Sequence, residues 1–140
     1  MWKLIAPVVG LALLAACVQP PTSISSSAIA TGECPAAVGV PVPTSISELV
    51  QSPARYELKL VRVRAFYING FEHSAIYGAM PSEGEPTPGL GIWASPLPDR
   101  LNGQRAELVG YFTGSVKGHG GQWPGSLCIV SATPARQDAP

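Results

Sequence analysis

Hydrophobic and polar positions divide this chain into stretches of different period. Residues 4–16 form an unbroken apolar run behind Met1-Trp2-Lys3. That is long enough for the apolar segment of a signal peptide and short of the roughly 20 residues a membrane-spanning helix needs. Residues 18–31 are rich in Ser, Thr and Pro, uncharged and without a usable period, which predicts a flexible tether about 20 Å long on average. Residues 35–43 continue proline-rich and extended. At Ser45 the pattern changes, because Ser45-Ile46-Ser47-Glu48 is a capping box. It predicts a helix from Ile46 to about Gln51, with Ile46, Leu49 and Val50 on one side, ended by Ser52-Pro53. A helix this short is unstable alone and must lie on a sheet.

Strand patterns follow. In residues 60–65, Val61, Val63 and Ala65 face one way and Arg62 and Arg64 the other. Asn69-Gly70 signals a turn, and residues 74–79, with Ile76 and Tyr77, read as the returning strand. Residues 80–89 are a loop, 90–95 a third strand with Ile92 and Trp93, and 96–103 a turn through Asp99 and Asn102-Gly103. The fourth strand, 105–113, puts Ala106, Leu108, Gly110 and Phe112 on one face; the fifth is 127–132. Between them, loop 114–125 is glycine-rich and holds His119, Trp123 and Pro124. Residues 57–67 and 102–112 align at an offset of 45, each alternating and then reaching a small residue, Ala65 or Gly110, before two aromatics. A small residue there permits the bend that lets a sheet close on itself. The expected fold is mostly β: a small five-stranded OB-like barrel with one short N-terminal helix. A five-stranded sandwich fragment and an SH3-like barrel compete with it. The expected organisation is a signal at 1–16, a tether at 17–43, the domain at 44–133 and a disordered tail at 134–140.

Composition supports turns and strands over helices, with fifteen glycines and fifteen prolines in 140 residues. Nine Lys and Arg balance nine Asp and Glu, which argues against a protein built to neutralise nucleic-acid phosphates. The segment Leu14-Ala15-Ala16-Cys17, at the end of the apolar run, resembles the lipobox of bacterial lipoproteins. The resemblance implies that Cys17 becomes the first mature residue and carries thioether-linked diacylglycerol, usually with a third acyl chain on its amine. The lipid bilayer is then a partner through acylated Cys17. The absence of an aspartate after it, where Val18 stands, favours the outer membrane of a Gram-negative cell, facing the periplasm. The competing reading is a soluble secreted protein in which Cys17 is coincidental. An envelope address is oxidising, and Cys34 and Cys128 are the even pair left over, so a Cys34–Cys128 disulfide is expected. A buried free thiol at Cys128 is the alternative. No Cys-x-x-Cys or His-x-x-x-His spacing points to a metal, and no cofactor is expected.

A second resemblance concerns the domain. Leu49, Tyr56, Lys59, Val61, Val63 and Ala65, with Ala75-Ile76-Tyr77, and later Leu101-Asn102-Gly103-Gln104 and Gly118-His119-Gly120-Gly121, are similar to uncharacterised bacterial OB-fold-like proteins over about residues 45–133. Leu58 and Ala65 stand where that pattern has glycine. The resemblance implies a fold and no activity.

Among residues suited to chemistry, His119 is flanked by glycines that let backbone approach a ligand, and Trp123 offers a stacking face. The alternative is that both only fix their loop. Glu72-His73 in the hairpin would share a metal with His119 only if two loops converge. Arg62 and Arg64, with Arg55, Lys59, Tyr56, Phe66 and Tyr67 nearby, suit an anionic glycan or lipid headgroup better than nucleic acid. They also fit the solvated side of an edge strand offset by Glu107. No nucleophile constellation stands out. The sequence therefore predicts a lipid-anchored, non-enzymatic binding or scaffolding module with loops 80–89 and 114–125 as its rim. An accessory subunit docking on an envelope protein complex is the alternative, and a small metal-assisted enzyme using His73 and His119 a weaker one. Cys17→Ala should abolish incorporation of labelled palmitate and release the protein from the membrane fraction; undiminished labelling would exclude Cys17 as the acylated residue.

Overall fold

Alternating burial along one long strand organises the domain. The computed structural model describes residues 24–82 and 87–136; the lipobox, including Cys17, and the first part of the tether lie outside them. Among the described residues the chain is mostly β, a six-stranded mixed sheet with three short helices. In chain order these are α1 (Ser26–Ala30), β1 (Val42–Pro43), α2 (Ile46–Gln51), α3 (Pro53–Tyr56), β2 (Leu60–Gly70), β3 (His73–Tyr77), β4 (Gly91–Ala94), β5 (Arg105–Thr113) and β6 (Ser126–Pro134). β2 pairs antiparallel with β5 through Leu60 to Phe66, and with β3 from Phe66 to Gly70. β3 pairs with β4, β4 runs parallel to β6, and β6 pairs with β5. These pairings close a ring of five strands, with β1 added in parallel to the outside of β2. The ring is uneven rather than a regular barrel: β4 and β6 share only the pairs Trp93–Ser126 and Ala94–Leu127.

The inward phase of each strand fills the core. Val61, Val63, Ala65 and Tyr67 meet Ile76, Ile92, Leu108, Phe112 and Leu127. Full burial of each aliphatic or Phe side chain contributes about 1.5–3 kcal/mol. Helix α2 covers one end with Ile46 and Leu49, and a turn of 3-10 helix at Asp99–Leu101 brings in Leu101. The capping box holds as the sequence predicts, the Ser45 side chain accepting from the Glu48 amide and the Glu48 side chain from the Ser45 amide. Opposite Gly110 the register slips by one residue, and a Cβ on Gly110 would collide with the Cys128 carbonyl. Ala65, by contrast, pairs with Ala106 in unbroken register. Leu58 takes φ +54, a left-handed conformation that favours glycine. It is held by its backbone N–H, which donates to the Phe112 carbonyl, and by packing beside Ile29 and Leu60.

Three sequence expectations need correction. Asn69-Gly70 is not the turn, because both residues extend β2 and the turn is Phe71-Glu72. The Asn102 side chain explains this, accepting from the Asn69 amide at 2.8 Å and donating to its carbonyl at 3.0 Å, so it stands in for a missing strand. β2 is not an edge strand: Arg62 and Arg64 project from the middle of the sheet, across from Val109 and Glu107. Finally, part of the stretch read as a tether is ordered. α1, capped by Ser25, buries Ile29 against Leu60, Tyr111 and Cys128. The Tyr111 hydroxyl donates to the Ala36 carbonyl and accepts from the Val38 amide. Two isolated isoleucines, Ile24 and Ile29, are too few to show a period, yet they suffice beside a disulfide.

That disulfide joins Cys34 to Cys128, 94 residues apart. It fixes the N-terminal arm on the outer face of β5 and β6. Cys34→Ser should lower the free energy of unfolding by about 2–4 kcal/mol, measured by urea denaturation. No change would mean that the arm adds nothing to the domain.

Candidate functional site

The outward phase of β3 and β4 builds a second, smaller apolar layer. His73, Ala75 and Tyr77 share the face opposite to Ile76, and Trp93 the face opposite to Ile92 and Ala94. Tyr77 pairs across from Gly91, whose missing side chain leaves room for the ring: a Cβ there would lie 2.6 Å from Tyr77 Cε1. Loop 114–125 folds over this face and buries Trp123 in it. The rings form one connected layer, with Trp123 centred 5.6 Å from His73, 5.7 Å from Trp93 and 6.2 Å from Tyr77. Gly118, at φ +65, carries the loop backbone between two indoles. A Cβ there would stand 2.5 Å from Trp93 Cγ and 2.8 Å from Trp123 Cδ1.

The loop is tied down at its base by a residue that sequence patterns did not mark. The Glu57 carboxylate accepts from the Thr113 hydroxyl and the Gly114 amide, each at 2.6 Å, and from the Ser115 hydroxyl at 3.1 Å. Burial pushes this carboxyl up, but those hydrogen bonds and nearby Lys117 outweigh it and hold it below the usual range. Further along, Trp123 donates its amide to the Lys117 carbonyl, Lys117 Nζ donates to the Pro124 carbonyl, and the Ser126 hydroxyl donates to the Val116 carbonyl.

At the loop's crest, a 3-10 turn (His119–Gly121) carries His119 out to solvent. Its Nε2 lies 3.5 Å from Glu72 Oε2, both side chains being more than half exposed, and its ring stacks on Trp93 at 6.3 Å. Phe71, next to Glu72 in the turn, is 94% exposed. Phe71, Glu72 and His119 are thus exposed at and beside the turn, with partly buried Trp93 stacked against the His119 ring. Such a surface stacks on a flat apolar face and hydrogen-bonds hydroxyl groups.

The two histidines do not converge. His73 Nε2 sits 3.0 Å from the Tyr77 hydroxyl, inside the layer, whereas His119 faces Glu72. Among the described residues, no group of three or more His, Cys, Asp or Glu side chains is placed to hold a metal ion. Tyr67 is wholly buried, its hydroxyl bonded to the Ser74 side chain and the Leu97 amide, so it belongs to the core and to no ligand surface. Arg62 and Arg64 lie on the outer side of β2, paired with Glu107 at 3.8 and 3.4 Å. Loop 114–125 meets the β2–β3 turn through His119 and Glu72, and the Thr87 backbone bonds to the Tyr77 hydroxyl. Trp93 and Tyr77 were within reach of sequence, because strict alternation about Ile92 and Ile76 puts both on the outer face.

No protein-family model matches this chain, and neither a curated protein nor a solved structure matches it.

Burial holds the His73 imidazole below its usual value and pushes the Tyr77 phenol above its own, the Thr87 bond partly opposing the latter. A depressed histidine stabilises the fold fully above its unfolded value near 6.5, and that stability is lost as pH falls from there through the lower folded value. Tryptophan fluorescence followed from pH 7.5 to 5 should therefore show the layer loosening below about pH 6.5. His73→Gln should flatten that profile, and an unchanged profile would assign the transition elsewhere.

Proposed function

We propose that this chain is a membrane-anchored envelope lipoprotein whose OB-like domain is a non-enzymatic binding module for an envelope saccharide. Strand order supports the OB-like reading. Counting β2 to β6 as first to fifth, the ring runs first, second, third, fifth, fourth, with the third and fifth parallel. In OB folds the face of the second and third strands, with the first-to-second and fourth-to-fifth loops, carries ligands. The corresponding parts here are β3 and β4, the Phe71-Glu72 turn and loop 114–125.

The observation that carries the reading is the contact of solvent-facing His119 with Glu72 while its ring lies on Trp93. Stacking surface and hydrogen-bonding groups meet there on a chain with no net charge, which suits a sugar ring better than a polyanion. Among the described residues, no helix is long and apolar enough to cross a membrane. Attachment in this reading comes from acylated Cys17, at the outer membrane and facing the periplasm. The second reading, docking on an envelope protein complex, is favoured by one observation, the exposed Phe71 at the turn.

The test is titration with cell-wall oligosaccharides, followed by tryptophan fluorescence. His119→Ala and Glu72→Gln should each weaken binding about tenfold, roughly 1.4 kcal/mol, with the melting temperature unchanged. If both variants bind normally, or no saccharide binds while Phe71→Ser abolishes capture of an envelope protein, the docking reading replaces this one.

A further inference from the structure

Two grooves, neither lined by His119, share a wall. The first, about 580 Å3, lies along β2 and β5 and carries Arg62, Arg64, Arg105 and Glu107. The second, about 620 Å3, is lined by Ile46, Val50, Tyr77, Met80 and Leu90. Ile46, Ser47 and Gly78 line both.

The first groove has an excess of positive charge. Among the described residues its one carboxylate is Glu107, shared between Arg62 and Arg64, and Arg105 lies over the Phe66 ring at 5.9 Å without an ion pair. Glu48 is engaged by Thr44 and Ser45 and does not line the groove. Arg62 and Arg64 are two apart on one strand, so their side chains leave the sheet about 7 Å apart on the same face. Guanidinium groups so placed match phosphate oxygens with paired N–H donors. The second groove has the opposite character: Met80 and Leu90 are 47% and 68% exposed beside buried Ile46. An inorganic anion on the arginines would leave that apolar wall in water. At the junction, Gly78 has no side chain to divide the two, and a Cβ there would come within 3.7 Å of Ile46 Cβ.

We infer that the two grooves together bind one anionic amphiphile, a phosphate-bearing headgroup on Arg62, Arg64 and Arg105 with its hydrocarbon chain crossing Gly78 onto Ile46, Val50, Met80 and Leu90. Charge complementarity selects the head, and the adjoining apolar wall distinguishes a lipid from a free phosphate. Each methylene buried there strengthens binding about fourfold. The inference goes beyond the saccharide reading and does not rest on it, because its residues, apart from Tyr77, are separate from that face.

The experiment uses the full chain in phosphatidylcholine nanodiscs, titrated calorimetrically with dihexanoyl phosphatidic acid and corrected for uptake by empty discs. Glycerol phosphate supplies the head without chains, and dihexanoyl phosphatidylcholine the chains with a neutral head. Phosphatidic acid should bind saturably and at least about tenfold tighter than either. Arg62→Gln with Arg64→Gln should weaken it about tenfold, and Met80→Ser with Leu90→Ser about fivefold. All four positions are exposed, so both double variants should melt like the parent. Gly78→Val, at an ordinary backbone conformation, should weaken phosphatidic acid and leave glycerol phosphate unaffected. Glycerol phosphate binding as tightly as phosphatidic acid would overturn the amphiphile, as would equal affinity for the two lipids or no saturable heat. Unchanged affinity in the variants would overturn the location.

Discussion

The rest of the structure depends on how β2 divides its backbone hydrogen bonds. A strand in a sheet must satisfy donors and acceptors along its length. β2 meets this with β5 over its first half and β3 over its second, and Phe66 pairs in both directions. One continuous strand therefore belongs to both halves of the sheet, and the ring closes through it. Where the β5 ladder ends, the Tyr67 amide bonds to the Gln104 carbonyl and the Asn102 side chain then bonds to Asn69. The second half of β2 is thereby carried far enough to reach the Phe71-Glu72 turn. Closure also sets where the β5–β6 connection emerges, which is why His119 arrives at Glu72, nearly fifty residues earlier in the chain.

Sequence patterns conveyed the parts of this arrangement that depend on local chemistry. The α2 capping box, the inward Val61, Val63 and Ala65, and the bounds of β5 needed only side-chain order and spacing. The disulfide followed from pairing the two remaining cysteines. What escaped depends on partners distant in the chain. Asn69-Gly70 has the composition of a turn, but a side chain from residue 102 makes it strand. Tyr67 reads as one of an exposed aromatic pair until Ser74 and Leu97 provide buried partners for its hydroxyl. Glu57 carries no motif; its importance comes from three donors more than fifty residues away. For the candidate site, His119 and Trp123 were legible in the glycine-rich loop, yet their roles differ. Trp123 is a buried part of the layer, and the solvent-facing surface belongs to His119, Glu72, Phe71 and part of Trp93.

Two surfaces of different chemistry result from one rule of alternation. On β3 and β4 the outward His73, Tyr77 and Trp93 are roofed by a loop; on β2 and β5 Arg62, Arg64, Arg105 and Glu107 line an open groove, while Leu60 and Tyr111 lie under the N-terminal arm. The sheet thus presents stacking groups on one side and guanidinium groups on another, while the chain as a whole carries no net charge. Tyr77 joins the layer to the apolar groove and does not line the arginine groove.

Ring closure seats loop 114–125 on the β2–β3 turn, and proton–proton NOEs in the free protein test this. Closure predicts cross-peaks from the His119 ring to Trp93, together with cross-peaks from the Trp123 indole to His73 and Tyr77. If those cross-peaks were absent, with backbone order parameters of the loop below about 0.6, the loop would be detached from the turn and the proposed binding face would not exist in the free protein.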